Sequence, residues 1–227
     1  MSPYSFPVRI NRYLALNGTA TRKEADELIK KGLVFVNGKR AVIGYAVKEG
    51  DKVEVKKPLE EKKYFAFYKP RGLSTDELVI SSKKIGLFPV GRLDKESEGL
   101  IILTNDGRIT DRLLNPEHNH EKEYVVEVRE KTRPGIIAIF EKGMLLDGIR
   151  LKKAKTDIKD EHTIRIVLSE GKKHQLRRML SALRYTVSSL KRVRIEGIRL
   201  GNLKPGQTKK IEGGEKTAFL SSLNLPR

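Results

Sequence analysis

The residue best suited to chemistry in this 227-residue chain is a carboxylate in the run Gly91-Arg92-Leu93-Asp94. Arg92 and Lys95 flank it, and nearby cations favour the charged form of an acid. Asp94 is therefore expected to be ionised and suited to work as a nucleophile or base, not as a general acid. Spacing alone favours an Asp that makes a surface salt bridge or caps a helix. Cysteine is absent, which removes thiol nucleophiles, disulfides and thiolate zinc sites together. The four histidines, His118, His120, His162 and His174, show no HExxH spacing. His118 and His120 could face one way on a strand, but beside a Pro they read as loop residues, and no metal is expected.

These side chains need elements to position them. From Val8 to Lys57 the pattern is self-contained. A first helix is marked by Ile10, Tyr13, Leu14 and Asn17, and a second opens at Thr21-Arg22-Lys23-Glu24, where Thr21 and Glu24 can form a capping box. Val34 and Val36 then alternate before Asn37-Gly38, which reads as a strand and tight turn, and a short strand at 52–55 closes the unit. KPLEEKK, residues 57–63, reads as a linker. Beyond it the period keeps changing: residues 100–104, 124–128 and 163–168 look like strands, 111–114 and 135–142 like helix. Such mixing predicts an α+β domain around a mostly antiparallel mixed sheet with flanking helices. The clearest helix spans 172–185, with Leu176, Met179, Leu180 and Leu183 on one face and Lys173, Arg177 and Arg184 along its flank.

Charge points to the partner. The formal net charge is +18, and a surface this positive attracts polyanions and releases counterions on meeting phosphates. Residues 8–57 hold 12 Lys and Arg against 6 Asp and Glu, so the basic excess is already present in the first unit. No run of about 20 apolar residues exists, and the N-terminus lacks a signal-peptide stretch. A soluble, cytoplasmic protein with no membrane partner is expected.

The motifs make this specific. The segment RINRYLALNGTATRKEADELIKKGLVFVNGKRAVIGYAVKEGDKVEV resembles the small RNA-binding domain named after ribosomal protein S-four. That resemblance implies RNA contacts by Arg9, Arg22, Lys23, Lys30, Lys39 and Arg40. GRLDKESEGLIILTNDG resembles the catalytic motif of the RsuA-type pseudouridine synthases, the ribosomal RNA branch that carries an S-four-type module in front. KPRG at 69–72, EKEYVVEV with Tyr124 and EGKKHQLRRML with Arg177 follow the family order. The likeness runs from about Val8 to the Leu200 region. It implies an RNA-binding domain at 1–57, a linker at 58–63 and a synthase domain at 64–227.

By this resemblance the target uridine of ribosomal RNA is flipped out of its stack, and Asp94 attacks the ribose at its anomeric carbon or abstracts a proton there. The freed uracil turns and rejoins through carbon 5. Tyr124 would stack on the uracil, and Arg177 would pair with Asp94 and hold it charged. Leu176 would touch the uracil edge, Arg92 would help open the RNA, and Lys173 and Arg178 would contact phosphates. No organic cofactor or metal is needed, in keeping with a chain that has neither a P-loop nor a GxGxxG run. The segment STDELVISSKKIGLFPV looks short beside the loop many relatives carry there. The protein is expected to act as a monomer. The rival reading is a non-catalytic RNA-binding or ribosome-assembly protein; a decayed enzyme would be expected to lose Asp94, Tyr124 or Arg177. A DNA-binding regulator fits the helix pair in size but not the strands that follow it.

Overall fold

The computed structural model describes residues 5–56 and 61–225. Residues 58–60 of the linker expected at 58–63 lie outside the described residues. The chain forms two compact units, Met1–Lys62 and Lys63–Leu225.

In the first unit β1 (Val8–Arg9) leads into α1 (Ile10–Leu16) and α2 (Arg22–Lys30), followed by β2 (Val34–Val36), β3 (Lys39–Arg40), β4 (Ala46–Val47) and β5 (Val53–Val55). The Thr21 hydroxyl accepts from the Glu24 backbone N–H at 3.2 Å, and the Glu24 carboxylate accepts from the Thr21 N–H at 2.8 Å. This is the expected capping box, and it satisfies two otherwise orphaned donors. Asn37 and Gly38 both adopt positive φ, the requirement of a tight hairpin turn between β2 and β3. Ile10, Leu14, Leu28, Ile29, Val34 and Val36 close over one core. The pairing of β1 with β4 is invisible in two-residue stretches of sequence. Replacing Thr21 with Ala is expected to cost α2 about 1 kcal/mol. Amide hydrogen exchange along α2 should then quicken roughly fivefold, and unchanged protection would remove the cap from the account.

The second unit contains β6 (Tyr64–Lys69), α3 (Thr75–Lys83), β7 (Phe88–Val90), β8 (Glu98–Thr104) and α4 (Arg108–Leu114), a short 3-10 turn, then β9 (Lys122–Val128) and α5 (Gly135–Lys142). There follow β10 (Leu145–Leu146), β11 (Ile149–Arg150), β12 (Lys155–Ile158), β13 (Thr163–Leu168), α6 (Gln175–Ala182), β14 (Val187–Ile195), β15 (Ile198–Arg199), β16 (Thr208–Lys210) and α7 (Gly213–Ser222). Nine strands make one sheet, in the order β12-β13-β9-β14-β8-β6-β16, with β7 beside β8 and β15 beside β14. Among the described strands only β14 and β8 run parallel.

Both faces of this sheet are covered, which explains why β8 is an unbroken apolar run instead of an alternating one. Ile101 and Leu103 of β8 meet Ile136 and Phe140 of α5 and Leu176, Met179 and Leu180 of α6. Leu100 and Ile102 pack on the other side with Ile109 and Leu113 of α4 and Phe219 and Leu220 of α7. The α+β reading with flanking helices holds.

One local expectation changes. The helix expected at 172–185 spans only Gln175–Ala182, because His174 and Arg184 both take left-handed backbone conformations that end it on either side. Lys173 therefore sits in the turn before α6 and not on its flank. The segment after KPRG contains α3, capped by Ser74 and Glu77 in a second capping box.

Candidate active site

A cavity of about 740 Å³ opens where the loop before β8 faces the turn before α6. Asp94, Tyr124, Leu176, Arg177, Arg92 and Lys173 all line it.

Asp94 lies in the loop between β7 and β8, and several bonds fix that loop. The Thr75 hydroxyl donates to the Leu93 carbonyl at 2.8 Å and accepts from the Leu93 N–H at 3.1 Å. The Gly72 N–H, in the KPRG turn, donates to the Lys95 carbonyl at 2.8 Å. Lys69 is fully buried, and its ammonium holds that turn by donating to the carbonyls of Pro70 and Leu73 at 2.9 and 2.7 Å. Burial pulls Lys69 below the usual lysine range, while Asp94, Glu96 and Glu98 oppose the shift. KPRG thus works as a brace for the carboxylate loop.

The expected partner of Asp94 is corrected. Arg177 is not ion-paired with it; its Nη2 donates to the Glu96 carbonyl at 2.9 Å and to the Ser97 hydroxyl at 3.3 Å. Its Nε is buried with no partner among the described residues. The group beside Asp94 is His174, whose Nδ1 lies 3.2 Å from Oδ2. Arg177 thus ties down the stretch that follows Asp94, and His174 meets the carboxylate itself. The reason is the left-handed turn at His174, which throws that ring across the cavity before α6 begins. Glu170 and Gln175 hold the turn, with a side-chain bond of 2.7 Å between them and the Lys172 N–H donating to Gln175 at 2.9 Å.

Tyr124 stands on β9, 8% exposed, with Leu190 and Leu176 in the same core cluster. Leu176 is 4% exposed and belongs to the core as well as to the cavity wall. Arg92 reaches out to solvent and pairs with Asp76 at 3.0 Å, so it lies at the rim and does not brace Asp94. Arg178 pairs with Asp147 at the surface. Two residues not foreseen from sequence line the floor, Lys122 and Arg192. A lysine on the apolar face of a strand was the available signal for the first.

In the first unit Arg9 and Arg22 line a recess of about 420 Å³ together with Arg12. Lys23, Lys30, Lys39 and Arg40 do not line it, and Lys30 pairs with Glu27 at 3.1 Å. His118 and His120 occupy the 3-10 turn and the residues after it, and His120 pairs with Glu196 at 3.1 Å. Among the described residues no helix is long and apolar enough to cross a membrane.

The sheet is covered by helices on both faces, and an acidic loop, an aromatic strand residue and an arginine-bearing helix line one cavity, the kind of concave polar-and-apolar site in which ligands bind. Comparison with known proteins gives the particular class: residues 63–182 match the family model described as RNA pseudouridylate synthase, and residues 8–53 match the S4 domain. The chain belongs to the RNA pseudouridylate synthase family, and it is an isomerase of that class. The dual-specificity RNA pseudouridine synthase RluF of Escherichia coli (strain K12) is 38% identical, over 92% of this chain and 77% of that protein. The ribosomal large subunit pseudouridine synthase B of Bacillus subtilis (strain 168) is 32% identical, over 89% of this chain and 91% of that one. A crystal structure of a pseudouridylate synthase superposes with a TM-score of 0.69 at 28% identity, covering 95% of this chain and 99% of the other.

Proposed function

We propose that this protein converts a specific uridine of ribosomal RNA to pseudouridine, with residues 1–57 as the RNA-docking module, 58–63 as linker and 64–227 as the catalytic domain. The observation that carries the reading is that Asp94, Tyr124 and Arg177, from three separate segments of chain, line one cavity. The names of the relatives support ribosomal RNA as the substrate class, and the charge of +18 supports a polyanionic partner.

The steps follow from the side chains. A uridine inside a helix cannot be reached, so it leaves its stack at a cost of a few kcal/mol, offset by basic contacts to flanking phosphates. Arg92 and Lys173 at the rim, Arg178 beyond them and Arg9, Arg22, Lys23, Lys30, Lys39 and Arg40 of the first unit supply those contacts. Tyr124 stacks on the flipped base, because a planar face holds a ring while letting it turn. Leu176 closes the other edge. Asp94 attacks the ribose or takes a proton from it, while Arg177 holds the Glu96 carbonyl and the Ser97 hydroxyl so that the carboxylate stays aimed. No cofactor takes part, and the protein acts as a monomer in the cytoplasm.

The test is to incubate purified protein with small-subunit and large-subunit ribosomal RNA transcripts and map pseudouridine along each. One or a few uridines should convert in one RNA. Conversion of none, in transcripts or in native precursor subunits, would leave only an RNA-binding or ribosome-assembly protein.

A further inference from the structure

Among the described residues, two cations on the floor of the cavity have no carboxylate paired with them. Lys122 is 7% exposed and Arg192 3%. The Lys122 ammonium donates only to the backbone carbonyls of Leu113 and His120, at the long distances of 3.3 and 3.5 Å. Arg192 gives its Nε to the Leu100 carbonyl at 2.7 Å and its Nη1 to the Arg92 carbonyl at 3.4 Å, while its Nη2 is buried with no partner. Burying charge without compensation is costly, and an apolar side chain would pack a sheet interior better. The nearby carboxylates are engaged elsewhere. Glu123 binds Arg194 at 2.8 Å, and Glu196 takes His120 and the Glu121 N–H.

Their placement relative to Tyr124 gives the charges a use. Lys122 is two residues before Tyr124 on β9, so both project from one face of the strand. Arg192 lies directly opposite Tyr124 in the antiparallel register of β14 with β9. The register shifts immediately after Arg192, and such bulges re-aim side chains beside active sites. A planar ring lying on Tyr124 has one cation beyond it along the strand and the other across from it.

We propose that Lys122 and Arg192 are catalytic residues that stabilise uracil as it departs from the ribose. This rests on reading the cavity as the uridine site. When the bond between C1′ and N1 breaks, its electron pair stays with the base, and the negative charge spreads onto the ring oxygens. Asp94 meanwhile either bonds to C1′ or accepts the proton that the sugar loses; the base carries one negative charge in both cases. When C5 then bonds to C1′, the bond between Asp94 and C1′ breaks, or on the other route the proton held by Asp94 returns to the sugar. The hydrogen on C5 leaves as a proton and N1 takes one up, so the exchange balances and Asp94 is again a carboxylate. Donors aimed at those oxygens gain strength as charge develops, which lowers the barrier instead of merely tightening binding. Burial first, and Arg192 second, bring Lys122 down to about 8, with Glu196 opposing. Its ammonium is therefore present at neutral pH and lost as the pH rises through that value.

The test is single-turnover conversion of a target transcript by Lys122→Met and Lys122→Arg in the full chain. The Met variant should slow conversion on the order of 100-fold, with RNA affinity changed less than about threefold. Its melting temperature should match or exceed the wild type's, because an apolar side chain packs the sheet interior without the cost of a buried charge, so a slower rate is lost chemistry and not a lost fold. The Arg variant keeps the charge and should recover the rate to within about fivefold. The wild-type decline around pH 8 should move upward in it, since the other groups facing Lys122, namely Arg192, Glu196 and the Glu196-bound His120, are unchanged. A Met variant with wild-type rate overturns the proposal. If that variant does not fold, an alkaline decline in Lys122→Arg identical to the wild type overturns it instead. Asp94→Asn in the same assay separates the two claims: inactive Asp94→Asn beside a fully active Lys122→Met sinks only the role of the cations, whereas active Asp94→Asn sinks the reading of the cavity itself.

Discussion

Asp94→Asn is expected to abolish conversion of uridine, with a loss on the order of 1,000-fold or more, while the RNA is still bound. The substitution keeps the shape of the side chain and removes its charge. An amide neither attacks an anomeric carbon nor takes a proton from the sugar, so both routes open to the carboxylate close together. The surroundings should survive. The loop is held by Thr75 on Leu93 and by Arg177 on Glu96 and Ser97, none of which uses the Asp94 carboxylate. The His174 contact at 3.2 Å can be kept by the amide oxygen. The variant should therefore melt close to the wild type and bind a target transcript with similar affinity. Those two measurements separate lost chemistry from a lost fold. Pseudouridine formed at an undiminished rate would take Asp94 out of the reaction.

How much of this site could be read from the sequence depended on whether its geometry is local. The capping box at Thr21 and Glu24 lies within four residues, and it formed as read. The same signature stands at Ser74 and Glu77, but α3 lacks an apolar stripe to mark it as a helix. Leu78 is buried, but its neighbours Val79 and Ile80 are exposed, and no 3.6-residue period survives that pattern. The turn at His174 escaped for the opposite reason. The stripe of Leu176, Met179 and Leu180 is so regular that it extends on paper through Lys172, and nothing local announces a left-handed histidine. That single backbone conformation decides that His174, and not Arg177, meets Asp94. Lys122 and Arg192 lay furthest out of reach. Their neighbourhood exists only once β14, some seventy residues downstream, pairs with β9 in the register that sets Arg192 opposite Tyr124.

Gly99→Ala is expected to be among the most damaging single changes to the fold, costing roughly 3–5 kcal/mol and lowering the melting temperature by about 10 °C. Gly99 sits where β8 meets β14 in their parallel pair, opposite Arg192. Its φ of +110° suits glycine and strains any other residue. A methyl there would lie 2.3 Å from the Arg192 carbonyl oxygen and 2.7 Å from its nitrogen. Those atoms are backbone in a strand hydrogen-bonded on both sides, so they cannot yield the way a side-chain tip can. Relief would come only by parting β8 from β14. That movement would carry off the bond from Arg192 to the Leu100 carbonyl and disturb the loop that bears Asp94. Gly86→Ala separates strain from collision: φ there is also positive, at +70°, but nothing lies within 4 Å of the added carbon, and the cost should be near 1 kcal/mol. Similar melting temperatures for the two variants would show that the crowding between β8 and β14 is not what demands glycine at position 99.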